Sequence, residues 1–104
     1  MGKMKTVTKK DVAKRTAKLV NERIYVTEKV VDGVFTALRE FMAEADPEIR
    51  IEIRDFGVFE VKKTKPKPKA RNPKTGEIIR VPARRKTHFK AGKILKEILK
   101  QSIE

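Results

Sequence analysis

The 104-residue sequence predicts an α+β fold, because helix-like and strand-like hydrophobic patterns occur in separate blocks. Apolar side chains recur every three or four positions over residues 30–42, as in an amphipathic helix. Over residues 49–61 they alternate with charged side chains, as in half-buried strands. We therefore expect one domain, residues 1–104, with two N-terminal helices, a three-stranded antiparallel sheet that extends into a β-ribbon arm, and a C-terminal helix.

The ends of the two N-terminal helices can be predicted from single residues. Thr8 and Asp11 match a capping box, in which each side chain bonds the other residue's backbone N–H, and Asn21 suits a helix end. Thr27 is expected to cap the second helix, and Asp46-Pro47 to stop it because proline lacks the N–H donor. The second helix carries an apolar stripe formed by Val30, Val31, Val34, Phe35, Leu38, Phe41 and Met42.

Three strands are expected after the helices. Residues 49–54 alternate isoleucine with charge, and Gly57 is expected to supply the turn into a second strand that runs to Val61. The third strand is predicted at residues 78–81. The C-terminal helix is expected to carry one apolar face, made up of Phe89, Ile94, Leu95, Ile98 and Leu99.

Positive charge is concentrated in the second part of the chain. The sequence holds 27 basic and 14 acidic side chains, a net charge of +13. Residues 61–104 contain 15 of the basic and 3 of the acidic side chains, so nearly all of the excess lies there. A solvated protein face would normally mix both signs. The concentration predicts a polyanionic partner, and nucleic acid is the first candidate.

The most basic segment is predicted to form the arm, at about residues 62–82. Two strands of ~10 residues at ~3.3 Å per residue would extend ~30 Å, close to one helical repeat of duplex DNA. Residues 72–76, Asn-Pro-Lys-Thr-Gly, supply turn chemistry for its tip. Pro66 and Pro68 remove ladder donors, which suits either a functional free arm or the protection of an exposed edge. Because an arm leaves little core, we expect a second chain to cover the apolar stripe.

Other classes of function fit the residue inventory poorly. There is no cysteine, which excludes disulfides and thiolate metal sites, and no apolar run approaches the ~20 residues that cross a bilayer. His88 and Ser102 are the only residues of their types, so no Ser-His or Cys-His nucleophile can be assembled. We expect no catalytic residue, metal, cofactor, small-molecule substrate or membrane partner.

RNA binding of the ribosomal-protein type stays open as an alternative, because ribosomal proteins are also small and basic. Proteins that read single-stranded RNA generally stack its bases on aromatic side chains. Residues 60–88 contain no Phe, Tyr or Trp, which disfavours this alternative.

Four stretches make the sequence recognisable: Gly57-Val58-Phe59, residues 71–77 (Arg-Asn-Pro-Lys-Thr-Gly-Glu), Ala83-Arg84-Arg85, and residues 89–96. With them the chain resembles the HU and integration host factor family of histone-like bacterial DNA-binding proteins over about residues 6–100. The resemblance implies an intertwined dimer, formed with a second copy or with a paralogue, whose two arms wrap and bend duplex DNA. It also implies that the protein is cytoplasmic and nucleoid-associated, and that it compacts DNA or assists nucleoprotein assembly.

The resemblance assigns roles to individual residues as well. It implies that Pro73 is a wedge inserted between base steps, with Arg71, Asn72 and Lys74 in the minor groove beside it. A proline ring is a rigid apolar plate without an N–H that insertion would leave unsatisfied. Ala70 stands where the family usually has glycine. The expected phosphate-binding residues are Lys62, Lys63, Lys65, Lys67, Lys69, Arg80, Arg84, Arg85, Lys86 and Lys90.

Overall fold

The computed structural model describes residues 4–103 and contains three helices and five strands in this range. In chain order they are α1 (Lys9–Val20), α2 (Ile24–Ala43), β1 (Ile49–Ile53), β2 (Gly57–Lys63), β3 (Lys67–Arg71), β4 (Ile78–Val81), β5 (Arg85–Ala91) and α3 (Lys93–Leu99). The α+β class predicted from the sequence is confirmed. The chain divides into two compact units, Met1–Phe41 and Met42–Glu104.

The predicted ends of α1 are confirmed. Thr8 is the N-cap: its hydroxyl accepts from the Asp11 N–H at 3.3 Å, and its own N–H donates to the Asp11 carboxylate at 2.9 Å. These bonds satisfy N–H groups that have no partner within the helix. Asn21 follows the last turn in the left-handed conformation, with φ 53°. Ala13 and Ala17 are the buried residues of this helix.

The predicted cap at Thr27 is wrong. Helix α2 begins at Ile24, and Thr27 lies buried inside the helix with its hydroxyl donating to the Arg23 carbonyl at 2.9 Å. A threonine inside a helix can satisfy its hydroxyl on the carbonyl four residues earlier, so its presence does not mark a helix start. At the other end, α2 stops at Ala43, ahead of Asp46-Pro47.

The second unit contains a three-stranded antiparallel sheet in the order β1-β2-β5. Residues 78–81 form a strand as predicted, but not the third strand of this sheet: β4 pairs with β3 in a separate two-stranded sheet. The third strand is β5, so the placement of Phe89 on the C-terminal helix is wrong. Strand β5, Arg-Lys-Thr-His-Phe-Lys-Ala, has one large apolar side chain, and its two-residue period is therefore hidden in the sequence.

The β3–β4 hairpin and its connections, residues 64–84, form what we call the ribbon. Its regular strands have five and four residues, fewer than the ~10 expected. The pairing is irregular between Lys67 and Ala70, where Pro68 cannot donate to the ladder. The predicted turn at residues 72–76 forms the tip, and Gly76 adopts a φ of 74° in it, which glycine accepts without steric cost.

One face of the three-stranded sheet is apolar. Val61 is buried there, and the rings of Phe59 and Phe89 have centroids 4.8 Å apart. Phe56, in the turn before β2, lies 5.3 Å from Phe89 by the same measure. This cluster forms because residues 57, 59 and 61 of β2 face the same side as residues 87, 89 and 91 of β5.

Gly57 has a different role from the one predicted. The left-handed residue in the β1–β2 turn is Asp55, with φ 63°. A Cβ on Gly57 would lie 2.4 Å from the Lys90 carbonyl oxygen and 2.7 Å from the Phe89 ring. Gly57 is therefore required because the backbone of β5 and an aromatic ring approach it closely.

None of the helices in the described part of the chain combines the length and the apolar character needed to cross a membrane.

Replacement of Gly57 by Ala should destabilise the fold by about 1–3 kcal/mol or more, because the added methyl group forces β5 and the Phe89 ring to move. Gly33→Ala is the matched control. A Cβ at position 33, inside α2, meets no atom within 4 Å in the described structure, so this variant should gain up to about 1 kcal/mol of helix propensity. Thermal or denaturant unfolding at one protein concentration measures both. Equal stability of Gly57→Ala and the wild type would contradict the close approach.

Candidate nucleic-acid interface

The residues predicted to bind nucleic acid fall into three places in the fold. The first is the polar face of the three-stranded sheet, with Lys62, Lys86 and Lys90. The second is the end of that sheet, where Lys63, Arg84 and Arg85 lie around the start of the ribbon. The third is the ribbon itself, which carries Lys65, Lys67, Lys69, Arg71, Asn72, Pro73, Lys74 and Arg80.

The polar face is produced by the register of the sheet. Paired residues of antiparallel strands share a face, and Lys62 pairs with Lys86, Val58 with Lys90, and Glu60 with both His88 and Arg50. Lysine, arginine and histidine side chains therefore lie side by side on one face, opposite the phenylalanine cluster. The predicted residues Lys62, Lys86 and Lys90 are brought together in this way.

Glu60 lies at the centre of the polar face and is buried, with 8% of its side chain exposed. Three cations surround it: Lys90 Nζ lies 3.3 Å and Lys62 Nζ 3.8 Å from Glu60 Oε1, and Arg50 Nη1 lies 3.7 Å from Oε2. All three are ion-pair contacts, and in the described structure Oε1 has no partner with hydrogen-bond geometry. The sheet face therefore holds a buried central carboxylate that balances part of its positive charge. Glu52, an exposed residue on the same face, accepts from Arg50 Nε at 3.0 Å and balances a further part.

The surroundings of Glu60 shift its pKa in two opposing directions. Burial raises the pKa of the carboxyl group, because desolvation disfavours the charged form. The positive charges of Lys90, Lys62 and Arg50 lower it, and together they outweigh burial, so the pKa lies below its ordinary value. Glu60 is therefore ionised at neutral pH.

The end of the sheet is held by several hydrogen bonds. Lys63 and Arg85 are the last residue pair of β2 and β5. Beyond them, the Thr64 N–H donates to the Arg84 carbonyl at 2.7 Å, and the Arg84 N–H donates to the Thr64 hydroxyl at 2.9 Å. Arg85 Nη1 donates to the carbonyls of residues 43 and 45, at 2.9 and 2.8 Å. Of these side chains, Arg85 is thus engaged with the protein's own backbone.

The ribbon tip presents Pro73 on a turn fixed by hydrogen bonds. The Asn72 N–H donates to the Glu77 carbonyl at 2.8 Å, and the Gly76 N–H donates to the Asn72 carbonyl at 2.7 Å. The Asn72 side-chain oxygen accepts from the Lys74 N–H at 2.9 Å, which is an Asx turn around the proline. Pro73 is exposed at the start of this turn. The tip is therefore a rigid apolar point flanked by Arg71 and Lys74.

The sequence analysis did not identify Arg50 and Glu60 as parts of the polar sheet face, or Glu48 as a hydrogen-bond acceptor at the end of the sheet. Glu48 accepts a hydrogen bond from the Lys63 N–H at 3.1 Å, beside the first residue of β1. The alternation within β2 already places Glu60 on one face with Lys62. The cations that β1 and β5 place beside Glu60 can be identified only from the pairing of these strands with β2, and that pairing requires β5 to be recognised as a strand.

Residues 4–103 contain no group of three or more His, Cys, Asp or Glu side chains arranged to hold a metal ion.

Comparison with known proteins gives consistent results. The family model for the bacterial DNA-binding protein matches residues 7–100. The chain is 36% identical over 98 residues to integration host factor subunit alpha of Bordetella avium, covering 94% of this chain and 81% of that protein. It is 44% identical over 68 residues to integration host factor subunit beta of Actinobacillus pleuropneumoniae, covering 65% and 72%. A cocrystal structure of Anabaena HU with DNA is similar at a TM-score of 0.79 and 25% identity, over 92% of this chain and all of that one.

The Glu60→Gln variant should respond less to acid than the wild type. Since the pKa of Glu60 in the folded chain lies below its ordinary 4.5, ionisation of this carboxyl stabilises the fold above that value, and the contribution is lost as pH falls through the folded pKa. Thermal unfolding from about pH 6 to about pH 3, at one protein concentration, should therefore show a smaller loss for Glu60→Gln. Glu97→Gln, which removes an exposed carboxylate from α3, should behave as the wild type. Equal acid sensitivity of Glu60→Gln and the wild type would contradict the assignment.

Proposed function

Because this chain belongs to the family of bacterial DNA-binding proteins, we propose that it is a non-catalytic architectural protein that binds the minor groove of duplex DNA and bends it. The resemblance to HU and integration host factor predicted from the sequence is confirmed by this membership. The observation that carries the proposal is the ribbon: two short strands that end in a turn with Pro73 exposed at its tip and basic side chains on both sides.

The tip is suited to insertion between base steps. Pro73 has no N–H to leave unsatisfied in an apolar base stack, and the turn around it is already ordered by hydrogen bonds. Unstacking a base step costs a few kcal/mol, which contacts on the bent duplex must offset. Arg71, Lys74 and the side-chain amide of Asn72 would supply some of these contacts to the groove edge. Because the minor groove distinguishes mainly A·T from G·C pairs, sequence preference would come chiefly from deformability.

Apart from Arg85, which donates to backbone carbonyls, the remaining predicted ligands would bind phosphates along the bent duplex. Lys65, Lys67 and Lys69 lie along one strand of the ribbon and its entry, while Lys62, Lys86 and Lys90 form a second group on the polar sheet face. Each phosphate that a lysine neutralises releases counterions, which makes binding salt-dependent. We place the centre of the duplex against the polar sheet face and the ribbons along its flanks.

The proposed active form is a dimer, either of this chain or with a paralogue. Large apolar side chains along α2 are exposed to solvent in a single chain. Those of Val30, Val34, Phe35 and Phe41 are each 43–61% exposed. No large side chain in the described residues is buried to less than 2% exposure, so a core of such side chains is absent from the single chain. The relatives named as alpha and beta subunits of integration host factor support pairing of two chains.

Family membership also bears on the alternatives to DNA bending, which are RNA binding and catalysis. Family membership favours duplex DNA over the RNA alternative and a non-catalytic role over an enzyme. We place the protein in the cytoplasm with the nucleoid, where it compacts DNA or assists the assembly of nucleoprotein complexes. The subunit names of the relatives favour the integration host factor type over the general HU type.

Ring closure of short duplex DNA tests the proposal. A duplex shorter than the ~150 bp persistence length should be ligated into circles faster with the wild type. Pro73→Ala should reduce the ring-closure rate about tenfold, equivalent to ~1.4 kcal/mol, while the dissociation constant changes much less. Pro66→Ala, which removes a proline away from the tip, is the matched control and should close rings as the wild type does. No acceleration by the wild type would refute the bending function, and an unaffected Pro73→Ala variant would refute the wedge.

The salt dependence of binding tests the phosphate contacts of the ribbon. Replacement of Lys65, Lys67 and Lys69 by Ala should make the slope of log affinity against log salt shallower by ~2.7 for each substituted chain of the dimer, at ~0.9 per phosphate contact. A control with the same loss of charge, Lys14, Lys96 and Lys100 replaced by Ala, should leave the slope near that of the wild type. Fluorescence anisotropy titrations at several salt concentrations measure both slopes. A ribbon variant with the wild-type slope would show that these lysines contact no phosphate.

A further inference from the structure

The ribbon is joined to the three-stranded sheet by a short segment that we call the root, residues 63–64 and 84–85. Lys63 and Arg85 are the last pair of the sheet, and Thr64 and Arg84 form two further hydrogen bonds across the same two strands. Everything beyond the root, including Pro73, depends on these four residues for its direction.

Both residues of the last pair also donate hydrogen bonds to the end of α2 or to the segment that connects it with β1. The Lys63 N–H donates to the Glu48 carboxylate at 3.1 Å. Arg85 Nη1 donates to the carbonyls of Ala43 and Ala45, at 2.9 and 2.8 Å. Ala45 is itself buried, with 6% exposed. Three hydrogen bonds thus connect the root to residues 43–48 of the same compact unit.

These bonds also meet a need of helix α2. The last carbonyls of a helix have no partner within it, and a cation near the C-terminus interacts favourably with the helix dipole. The last turn of α2 contains no basic residue. Arg85, 42 positions away from Ala43 in the sequence, supplies both the donor and the charge. Because these bonds stabilise the end of α2, we expect the Arg85 guanidinium to keep them when DNA binds.

We propose that Arg85 is a positioning residue that fixes the direction of the ribbon, and that it is not one of the phosphate ligands. This inference rests on the proposed function, because a fixed ribbon matters only if the tip bends DNA. If the root is rigid, insertion of Pro73 forces the duplex to follow the ribbon. If the root swings, the ribbon follows a straight duplex, and binding continues without a bend.

Arg84 provides a matched control for Arg85. The two residues are adjacent, carry the same charge and are both exposed, but the bonds of Arg84 to Thr64 are made by its backbone. Replacement of either arginine by lysine keeps the charge. Lysine ends one bond short of Nη1, so Arg85→Lys should lose the bonds to the two carbonyls, whereas Arg84→Lys should lose nothing at the root.

The first experiment measures the ribbon without DNA. The chain has no cysteine, so Ile78→Cys introduces a unique site for a nitroxide spin label on β4. In Arg85→Lys the label should move with a larger amplitude in the electron paramagnetic resonance spectrum than in the wild-type background, and in Arg84→Lys it should not. Thermal unfolding of each variant shows that the comparison is made between folded proteins. Equal label mobility in Arg85→Lys and Arg84→Lys would overturn the proposal.

The second experiment measures ring closure of short duplex DNA. Arg85→Lys should lower the ring-closure rate several-fold with little change in the dissociation constant, while Arg54→Lys, the same exchange at an exposed residue of the β1–β2 turn, should close rings as the wild type does. Arg85→Ala should keep the wild-type salt slope; a slope shallower by ~0.9 for each substituted chain of the dimer would identify Arg85 as a phosphate ligand and overturn the proposal. If the wild type itself fails to close rings, the proposed function fails, and label mobility still decides whether Arg85 fixes the root.

Discussion

The antiparallel pairing of β2 with β5 is the interaction on which the rest of the site depends. Its register places Phe59 and Phe89 on one face and Glu60 with its surrounding cations on the other. It ends at the pair Lys63 and Arg85, where the ribbon begins. A shift of one residue would exchange the two faces, because side chains alternate along a strand. At the opposite end of the pairing, the backbone of β5 and the Phe89 ring approach Gly57 so closely that this register requires glycine there.

The distribution of apolar side chains explains why a chain with this ribbon is expected to form a dimer. A ribbon of two strands has no room for a core of its own, and it occupies a fifth of this short chain. Within each unit, the buried apolar residues are mainly alanine and valine. Burial of large side chains is the main favourable term in folding. The exposed valines and phenylalanines of α2 are therefore the natural contact surface for a second chain.

Much of the fold could be predicted from local sequence, and the errors in the second unit share one physical cause. The capping box at Thr8, the strand at residues 49–53 and the turn at Asn72 to Gly76 depend on neighbouring residues, so the sequence identifies them. Strand β5 owes its conformation to its partner β2 and carries little apolar pattern, so it was missed. The bonds of Arg85 depend on residues 40 positions away and leave no local signal. The tip and the basic segment were recognised, whereas the central carboxylate and the root required the register.

The carboxylate of Glu60 also sets an order of events for an approaching polyanion. The ribbon, residues 64–84, has seven basic side chains and a single acidic one, Glu77. On the polar sheet face, Glu60 partly neutralises the charge of the surrounding lysines and arginine. Long-range attraction is governed by unbalanced charge, so in the proposed function diffusional capture would begin at the ribbon. The sheet face would engage later, at short range, because phosphates would have to compete with Glu60 for Lys62 and Lys90. Capture at the ribbon and docking on the sheet face would then be separate kinetic stages.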